Sequence, residues 1–539
     1  MKNALLIYSE FSPFGFWNYK EVCKLVGSKY PAAPLGMITL AALLPKQWNI
    51  RLIDMNVTEL YDSDIDWADL VFIGGMLSQQ VGFLKLIDRV HARGKKVVSG
   101  GPDPTSQPEV YKGSDYLVLG EAEDTIQPFL NDLHGGAQSG VYFPSENKPD
   151  LITSPVPRFD LLSLDDYLMI GIQFSRGCPY NCEFCDIIEL YGRVPRTKTP
   201  QQIVNELSVL YDLGYRGHID FVDDNFIGHK GKVKQTLKVL RKWLQAHNYP
   251  FFFSTESSIN LADDEDLLGL MRDLDFRYVF IGIESVSEEV LLSNQKMQNL
   301  NRKLYDDLQR IYHYGMVVNG GYIVGFDNET SETTRLIADS IEHNKICMAM
   351  VGLLYALPGT QLTRRLEQEK RLFEHTNLLD PDNKDNVDQA TSGLNFVTKR
   401  PRKEIIDDFV YILKEVYNGR RYFNRCLRLG LVLKVSRKHR LSFSRKLNTI
   451  RALFRLIKQL GFSPSTAYYF WRNILIILLV RPSAVEEVVN LMAMYIHFHK
   501  QTKYIVELMT RSSQNTGEYK TATTTTVTND AEEIPVGNA

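Results

Sequence analysis

The chain has 539 residues, of which 44% are apolar and 23% are charged, and its net charge at pH 7 is −2. A chain of this length has material for two or three domains, and its charge balance argues against a nucleic-acid-binding protein. Its six cysteines, and an amino end without the apolar core of a signal peptide, argue against a secreted disulfide scaffold, so we expect a cytoplasmic protein.

Residues 1–135 alternate short apolar runs with helical patterns. This alternation predicts an α/β, Rossmann-like domain, in which helices cover both faces of a parallel sheet and a ligand lies at the carboxyl ends of the strands. Glycines at those ends would let the backbone approach a large cofactor, although tight turns alone would explain the same glycines. The candidate binding residues at these ends are Met76, Ser78, Gly100, Gly101, Gly120 and Glu121.

Residues 136–165 are polar and contain several glycines and prolines, and we interpret them as a linker. A second alternation of apolar runs and helical patterns fills residues 166–395 and contains six β/α units. A closed barrel of this kind needs about eight units. We therefore predict a partial (β/α)6 barrel with its active site at the carboxyl ends of the strands.

Residues 396–510 have a helical pattern and are basic, with 18 Lys and Arg against 4 Asp and Glu between residues 399 and 458. Basic helices with interleaved aromatic residues bind anionic bilayer surfaces, but a solvated cap over the barrel would show the same pattern. The most apolar run, residues 473–480, is too short to span a membrane. The last residues, 511–539, are polar and of low complexity, and we expect them to be disordered.

Three of the cysteines, Cys178, Cys182 and Cys185, lie in the segment SRGCPYNCEFCDI. A zinc site needs a fourth nitrogen or sulfur ligand, and neither Cys nor His follows Cys185 until His218. A disulfide would leave one thiol unpaired in a reducing compartment. An iron–sulfur cluster fits best, because three thiolates leave one iron without a protein ligand and open to chemistry.

The CxxxCxxC spacing, with an aromatic residue before the last cysteine, resembles the radical S-adenosylmethionine superfamily, whose partial barrel matches the second alternation. The resemblance implies a [4Fe–4S] cluster held by Cys178, Cys182 and Cys185. It also implies that the open iron binds S-adenosylmethionine, from which one electron releases a 5′-deoxyadenosyl radical. The protein would then orient the cofactor and exclude water.

Other segments match the same superfamily and supply candidate residues for binding S-adenosylmethionine. The segment GYIVGFDNE fits a GxIxGxxxE pattern, and acidic residues follow the second, third and fourth strands of the predicted barrel. Each of these acidic residues alone is more often a solvated or capping residue than a cofactor ligand. The candidates are Gly321, Ile323, Gly325 and Glu329 from the pattern, and Asp223, Asp224, Glu256 and Glu284 from the strand ends.

A Rossmann-like domain before such a barrel resembles the cobalamin-binding branch of the superfamily, so cobalamin is an implied cofactor. The chain lacks the DxHxxG motif of that branch and has Asp54-Met55-Asn56-Val57 in its place. We therefore expect cobalamin to bind without a protein nitrogen on cobalt, or not to bind. The segments FCDIIELYGRVPRTKTP and MVGLLYALPGTQL further resemble the hopanoid C-2 methylases and their near relatives.

These resemblances imply a C-methyltransferase that acts on an unactivated sp3 carbon of a lipid such as a hopanoid, in a pocket that we expect to be apolar. Two alternatives stay open. One is a radical enzyme of the same architecture that rearranges, cyclises or oxidises a tetrapyrrole, lipid or secondary metabolite, and the other is a non-catalytic metal-binding protein. The expected partners are a small-molecule or lipid substrate and an electron donor such as flavodoxin or ferredoxin, with peripheral contact at the inner membrane face and no nucleic acid.

Overall fold

The computed structural model describes residues 2–12, 15–16, 18–373, 393–439, 443–512, 519–520 and 526–527. Most of the tail that we expect to be disordered, 511–539, lies outside these residues. Two parallel sheets and a group of helices near the carboxyl end make up the main body of the described chain.

Helices and strands alternate along the chain, as the apolar runs predict. The strands are β1 Asn3–Tyr8, β2 Tyr30–Ala32, β3 Asn49–Asp54, β4 Leu70–Gly74, β5 Val97–Gly100, β6 Tyr116–Val118, β7 Gly140–Tyr142, β8 Tyr167–Ile172, β9 Ser175–Arg176, β10 Arg196–Thr197, β11 Gly217–Phe221, β12 Phe251–Ser257, β13 Phe276–Glu284, β14 Val317–Val324, β15 Ala349–Leu353, β16 Tyr519–Lys520 and β17 Thr526–Val527. The α-helices are α1 Lys20–Val26, α2 Leu35–Leu43, α3 Asp62–Trp67, α4 Gln80–Ala92, α5 Pro102–Ser106, α6 Ala122–His134, α7 Ile187–Leu190, α8 Pro200–Asp212, α9 Lys230–Ala246, α10 Glu265–Asp273, α11 Glu288–Ser293, α12 Leu304–His313, α13 Ser331–His343, α14 Gln361–Gln368, α15 Arg402–Val416, α16 Gly419–Val432, α17 Phe443–Leu456, α18 Ala467–Val480 and α19 Val485–Ser512.

The first sheet has the strand order β3-β1-β4-β5-β6-β7, and its strands are parallel. Successive side chains of β1 enter two separate cores, with Leu5 and Ile7 on one face and Ala4 and Leu6 on the other. Helices therefore cover both faces, which confirms the predicted Rossmann-like architecture. β7 lies within the segment 136–165 that the composition suggests is a linker, and it extends this sheet.

The second sheet has the strand order β15-β14-β13-β12-β11-β8-β2, and its strands are also parallel. The six predicted barrel strands form β8 and β11 to β15, which confirms the partial barrel. A seventh strand, β2, comes from the first 135 residues. The chain leaves the first sheet after β1, pairs Tyr30–Ala32 with β8, and returns to the first core through α2.

The helices near the carboxyl end pack against the open side of the barrel and share its core. The hydroxyl of Tyr417 donates a hydrogen bond to Ala349 O of β15 at 2.5 Å, and the Tyr417 ring stacks on Phe498 of α19 with 4.9 Å between centroids. Phe498 in turn contacts Tyr19, which directly precedes α1. This aromatic row, Tyr417, Phe498 and Tyr19, runs from the edge strand β15 to the start of α1, the helix that lies beside the other edge strand, β2.

The apolar run 473–480 lies inside α18, which has 14 residues. A helix of this length is about 21 Å long, whereas the hydrocarbon core of a bilayer is about 30 Å thick. Across the described ranges, no helix combines the length and the hydropathy needed to cross a membrane.

Replacing Tyr417 by Phe removes the hydrogen bonds between its hydroxyl and Ala349 and leaves the aromatic row in place. We expect the free energy of unfolding in urea to fall by about 1–2 kcal/mol, because a buried backbone group loses its partner. Tyr411→Phe is the matched control on α15, since the Tyr411 side chain is 37% exposed, and it should change stability by less than about 0.5 kcal/mol. Equal effects of the two substitutions would contradict a closing role for Tyr417.

Candidate active site

The three clustered cysteines lie in the loop between β9 and β10, just beyond the carboxyl end of β8. Cys182 is buried, Cys178 and Cys185 are half-buried, and all three are free thiols. Gly177 begins this loop with φ +92°, and a Cβ at that position would lie 2.8 Å from Gly192 O. The turn that presents Cys178 therefore requires glycine.

The surroundings of the cysteines fit an iron–sulfur cluster. Asn225 Nδ2 lies 3.7 Å from Cys178 Sγ, and Gln298 Nε2 lies 3.7 Å from Cys182 Sγ. In a cubane each thiolate binds a different iron, so three sulfurs with nearby amide donors suit a cluster.

Asp223 and Asp224, predicted near the amino nitrogen of S-adenosylmethionine, brace the cysteine loop. Asp223 accepts hydrogen bonds from the backbone N–H groups of Phe174, at 3.1 Å, and Ser175, and Asp224 accepts one from Gly177 at 2.8 Å. Burial raises the pKa of Asp223 to about 7 and that of Asp224 to about 6, although the hydrogen bonds oppose the change. Asp223 is buried and committed to this loop, whereas Asp224 is half-buried.

Glu284 ends β13 with φ +66°, at a shift in the register with β14. A residue other than glycine rarely adopts this conformation, and such strain often accompanies a functional site. Glu284 Oε1 pairs with Lys296 Nζ at 2.7 Å, and a Cβ at Gly282 would collide with the same carboxylate. Burial alone would lower the pKa of Lys296, but Glu284 and the sulfurs of Cys182 and Cys185 outweigh burial, and the net effect is a raised pKa. A buried cation therefore stands beside the cysteines.

The GxIxGxxxE segment shapes the barrel wall at β14. A Cβ at Gly321 would lie 2.7 Å from the Phe280 ring, so glycine lets that ring cross the interior, and Ile323 is half-buried on the same face. Gly325 has φ +111°, and its N–H donates to Glu329 Oε2 at 2.6 Å. Burial raises the pKa of Glu329 to about 7. Gly321 and Ile323 therefore face the interior, while Gly325 and Glu329 form a turn of their own.

The barrel interior carries polar side chains on β11, β12 and β14. Ser254 donates a hydrogen bond to Asp220 and lies 2.7 Å from His218 Nε2. Burial, with the nearby charge of Asp220, raises the pKa of Glu256 to about 8, so this carboxyl is mostly neutral at pH 7. Asn319 is 7% exposed, and its Oδ1 has no hydrogen-bond partner in the described part of the chain. The interior is therefore not the wholly apolar pocket that the sequence suggests.

Four charged residues join the first domain to the cysteine loop. Arg176, two residues before Cys178, donates to Glu121 at 2.7 Å and to Glu123 at 2.9 Å, and Arg196 donates to Glu121 at 2.7 Å. The side chains of Glu121 and Glu123 are only 2% and 3% exposed. Burial alone would raise the pKa of Glu123, but Arg176 outweighs it and holds that pKa at about 2. We name Arg176, Arg196, Glu121 and Glu123 the Arg176 clamp.

The predicted cobalamin-binding residues lie at the carboxyl edge of the first sheet, beside the clamp. Glu121 uses both carboxylate oxygens in the clamp. A Cβ at Gly100 would lie 2.8 Å from a carbonyl oxygen of β6, and one at Gly101 would lie 3.1 Å from the loop after β4. Gly120 has φ +78°, and its Cβ would lie 2.7 Å from Pro144. Close backbone packing therefore accounts for these glycines without a ligand.

The same edge presents Met76, which is 44% exposed, and the half-buried Ser78. Asn56 stands where the missing motif would have its histidine. Its Nδ2 donates to Asp54 Oδ1 at 2.7 Å, and its Oδ1 accepts from Phe11 N at 3.0 Å. Both ends of this amide are already hydrogen-bonded within the protein, which agrees with cobalamin bound without a nitrogen ligand from this position.

Four charged residues of this site, Arg176, Arg196, Glu123 and Lys296, were not among the candidates from the sequence. Arg176 lies in the cysteine segment itself, and its position next to the motif is the one signal that could have found it. Lys296 stands in a polar stretch without a motif, so its proximity to the cysteines becomes visible only in the folded chain.

Comparison with known families assigns three parts of the chain. Residues 25–130 match the B12 binding domain, and residues 172–341 match the radical SAM superfamily. Residues 360–510, which include α15 to α18 and most of α19, match a domain of unknown function, DUF4070.

An uncharacterised methyltransferase of Synechocystis sp. is 40% identical to this chain over 497 residues, which cover 92% of this chain and 91% of the relative. The chain belongs to the cobalamin-binding methyltransferases of the radical S-adenosylmethionine superfamily. The hopanoid C-2 methylase of Rhodopseudomonas palustris is 36% identical over 347 residues, which cover 64% of this methyltransferase and 66% of the relative.

The fold of this methyltransferase agrees with that of a solved relative. The radical S-adenosylmethionine methyltransferase TsrM from Kitasatospora setae, with cobalamin and a [4Fe–4S] cluster bound, superposes with a TM-score of 0.55 and 17% identity, over 68% of this chain and 78% of that chain. The cofactors of this methyltransferase are therefore a [4Fe–4S] cluster, S-adenosylmethionine and cobalamin. The cysteine loop and the open edge at Met76 fit two of these groups.

Replacing Cys182 by Ala should abolish cluster assembly, because one of three thiolate ligands is lost. After anaerobic reconstitution with iron and sulfide, we expect about four irons per wild-type chain and fewer than about one in the variant, measured by elemental analysis and visible absorption. Cys347→Ala is the control, since Cys347 is a buried cysteine outside the loop, and it should keep wild-type iron. A Cys182 variant that retains its iron, or a wild-type protein that takes up zinc instead, would contradict the assignment.

Glu123→Gln removes one charge from the Arg176 clamp. We expect the free energy of unfolding in urea at pH 7 to fall by about 3 kcal/mol, because the buried guanidinium of Arg176 loses one of its two carboxylate partners. Glu109→Gln is the matched control, since the pair between Glu109 and Lys112 is 73% exposed on both sides and should contribute less than about 1 kcal/mol.

The Arg176 clamp also predicts a pH dependence. The pKa of Glu123 is about 2 in the folded chain, against an ordinary value of 4.5, so its contribution is complete above pH 4.5 and is lost as the pH falls towards 2. The stability difference between wild type and Glu123→Gln should shrink over that window. A difference that stays constant would show that the charge of Glu123 does not stabilise the fold.

Proposed function

We propose that this enzyme methylates C-2 of a hopanoid, at an unactivated sp3 carbon. The observation that carries the proposal is the 36% identity with the hopanoid C-2 methylase of Rhodopseudomonas palustris. The chemistry of the barrel interior supports it, because Glu256 is mostly neutral at pH 7 and the buried charge of Lys296 is paired with Glu284. A neutral hydrocarbon can pack beside these two groups without leaving either of them as an unpaired buried charge.

When bound, the cofactors supply a radical that abstracts hydrogen and a methyl group for transfer. Cys178, Cys182 and Cys185 hold the cluster, and Asp223 fixes the loop that carries them. The aromatic row closes the open side of the barrel, so the chain excludes water and stray hydrogen donors from the place where a radical forms. In this proposal the protein contributes positioning and shielding, and no acid or base acts on the substrate.

The remaining candidate residues have proposed roles in binding. Asp224, Glu256 and Glu284 lie at successive strand ends and would contact the amino group or the ribose of S-adenosylmethionine. Lys296 would pair with Glu284 and would lie beside the cluster. Gly321 and Ile323 would line the adenine end, with Gly325 and Glu329 as the turn behind them. At the edge of the first sheet, Met76, Ser78, Gly100, Gly101 and Gly120 would contact cobalamin, and Glu121 would position that edge through the clamp.

A tetrapyrrole is the second candidate substrate. The observation that favours it is Asn319, a buried interior amide whose Oδ1 has no partner among the described residues. A substrate with a polar group would satisfy this amide, whereas a triterpenoid ring would not. The proposal also includes an electron donor of the flavodoxin or ferredoxin class and peripheral contact with the membrane that holds a lipid substrate.

One anaerobic assay tests the proposal. Reconstituted enzyme with cobalamin, S-adenosylmethionine and a strong reductant receives hopene, a tetrapyrrole or no substrate. We expect 5′-deoxyadenosine, S-adenosylhomocysteine and methylated hopene in equal amounts, measured by mass spectrometry, because each transfer consumes one cofactor molecule as methyl donor and one as radical source.

The variant Asn319→Leu separates the two candidate substrates. Turnover of hopene should change by less than about threefold, because an apolar substrate makes no hydrogen bond to the amide, whereas turnover of a tetrapyrrole should fall about tenfold or more. Equal formation of S-adenosylhomocysteine and 5′-deoxyadenosine with and without hopene would contradict C-2 methylation of hopanoids. Methylation of the tetrapyrrole but not of hopene would also contradict it.

A further inference from the structure

α18 presents an apolar face that the described residues leave uncovered. Its opposite side is buried through Phe470, Asn473 and Ile477, and Asn473 Nδ2 donates to Phe423 O of α16 at 2.7 Å. The outward side chains recur every three or four residues and therefore share one side of the helix. They are Tyr468, Trp471, Leu475, Leu478 and Leu479, with exposed fractions of 69%, 44%, 60%, 51% and 75%, and we name them the α18 face.

Exposed apolar side chains continue into the elements before α18. The indole of Trp471 donates to Gly461 O at 2.9 Å, which ties the α18 face to the turn after α17. Phe462 in that turn is 74% exposed, and Phe454 on α17 is 69% exposed. Isolated exposed apolar residues are ordinary, but a set of this size on consecutive elements marks an interaction surface.

The chain segment that forms this surface carries charge of a single sign. Between residues 416 and 485 the sequence contains 15 Lys and Arg and no Asp or Glu. Arg451, Arg455 and Lys458 are exposed on and after α17, and Arg472 and Arg481 are half-buried near the two ends of the α18 face. Long basic side chains beside an apolar stripe can reach phosphate groups while their stems stay in contact with acyl chains.

The basic charge of this segment and the length of α18 indicate which partner the surface binds. A second copy of the chain would bring two purely basic regions together, and such like-charge contacts are unfavourable. α18 has 14 residues, too few to span a bilayer, but it can lie in the interface plane. Aromatic residues such as Tyr468 and Trp471 favour the headgroup level.

We infer that the α18 face docks this enzyme on the surface of an anionic phospholipid bilayer. The apolar side chains enter the boundary of the acyl region, and the basic residues around them bind the phosphates. The use of this contact to deliver a lipid substrate rests on the proposed function, but the contact itself does not. Docking holds the enzyme at the place where a membrane lipid is found.

Vesicle sedimentation tests the docking surface. The full reconstituted enzyme is mixed with vesicles of equal parts phosphatidylcholine and phosphatidylglycerol, or of phosphatidylcholine alone. We expect wild type to pellet with the anionic vesicles and Leu475→Ser/Leu479→Ser to partition about tenfold less, because two exposed leucines no longer enter the bilayer. Phe143→Ser/Ile152→Ser is the matched control, at residues that are 69% and 60% exposed and lie outside both α18 and the cysteine loop, and it should pellet as wild type does.

Three results would overturn the inference: equal pelleting of wild type and the leucine variant, equal pelleting of wild type with both vesicle types, or a wild-type dimer that the leucine variant converts to a monomer. Iron content and thermal melting of each variant show that the fold is kept.

Turnover of hopene in detergent and in vesicles separates this inference from the proposed function. If the leucine variant loses turnover of hopene in vesicles but keeps it in detergent, both the docking surface and the proposed function are supported. If leucine-dependent pelleting occurs without hopene turnover in either medium, the docking surface stands and the proposed function fails.

Discussion

The placement of the cysteine loop depends on the burial of one arginine. When the chain folds, the Arg176 side chain is buried together with two carboxylates. Burying these charges is favourable only when each of them has a partner in good geometry. Glu121 and Glu123 meet that condition from the first domain. Because Arg176 stands two residues before Cys178, charge pairing rather than a linker sets the position of the cysteine loop against the edge at which we propose that cobalamin binds.

The barrel combines two properties that suit radical chemistry. Its open side is closed by the row from Tyr417 through Phe498 to Tyr19, so access from that side is restricted. Its interior holds one carboxyl, that of Glu256, which burial keeps mostly protonated at pH 7, and a cation, Lys296, that is paired with Glu284. An enclosed interior limits the reactions open to a radical, because little water reaches it.

The long buried strands were predictable, because runs such as residues 70–74 and 251–257 carry apolar or β-forming residues between turn signals. β2 and β7 have three residues each, too few for periodicity to mark them, and their pairing depends on partners far along the chain. The spacing of the three cysteines, with an aromatic residue before the last one, predicts that they hold a cluster, and the structure places all three in one loop. The sequence predicts that Glu121 contacts cobalamin, because it follows the end of a strand. Its partner, the guanidinium of Arg176, lies 55 residues later and reaches Glu121 only in the folded chain.

The excursion of the chain through β2 makes the two domains interdependent during synthesis. Residues 30–32 emerge from the ribosome long before β8, the strand beside which they lie, at residues 167–172. The first domain must therefore fold while the segment that contains β2 still lacks β8, the strand with which it pairs. A barrel produced alone would lack this outermost strand and expose the edge of β8 to other chains, which is a known route to aggregation. The cofactor domain and the barrel therefore cannot be separated by cutting the chain at a single position.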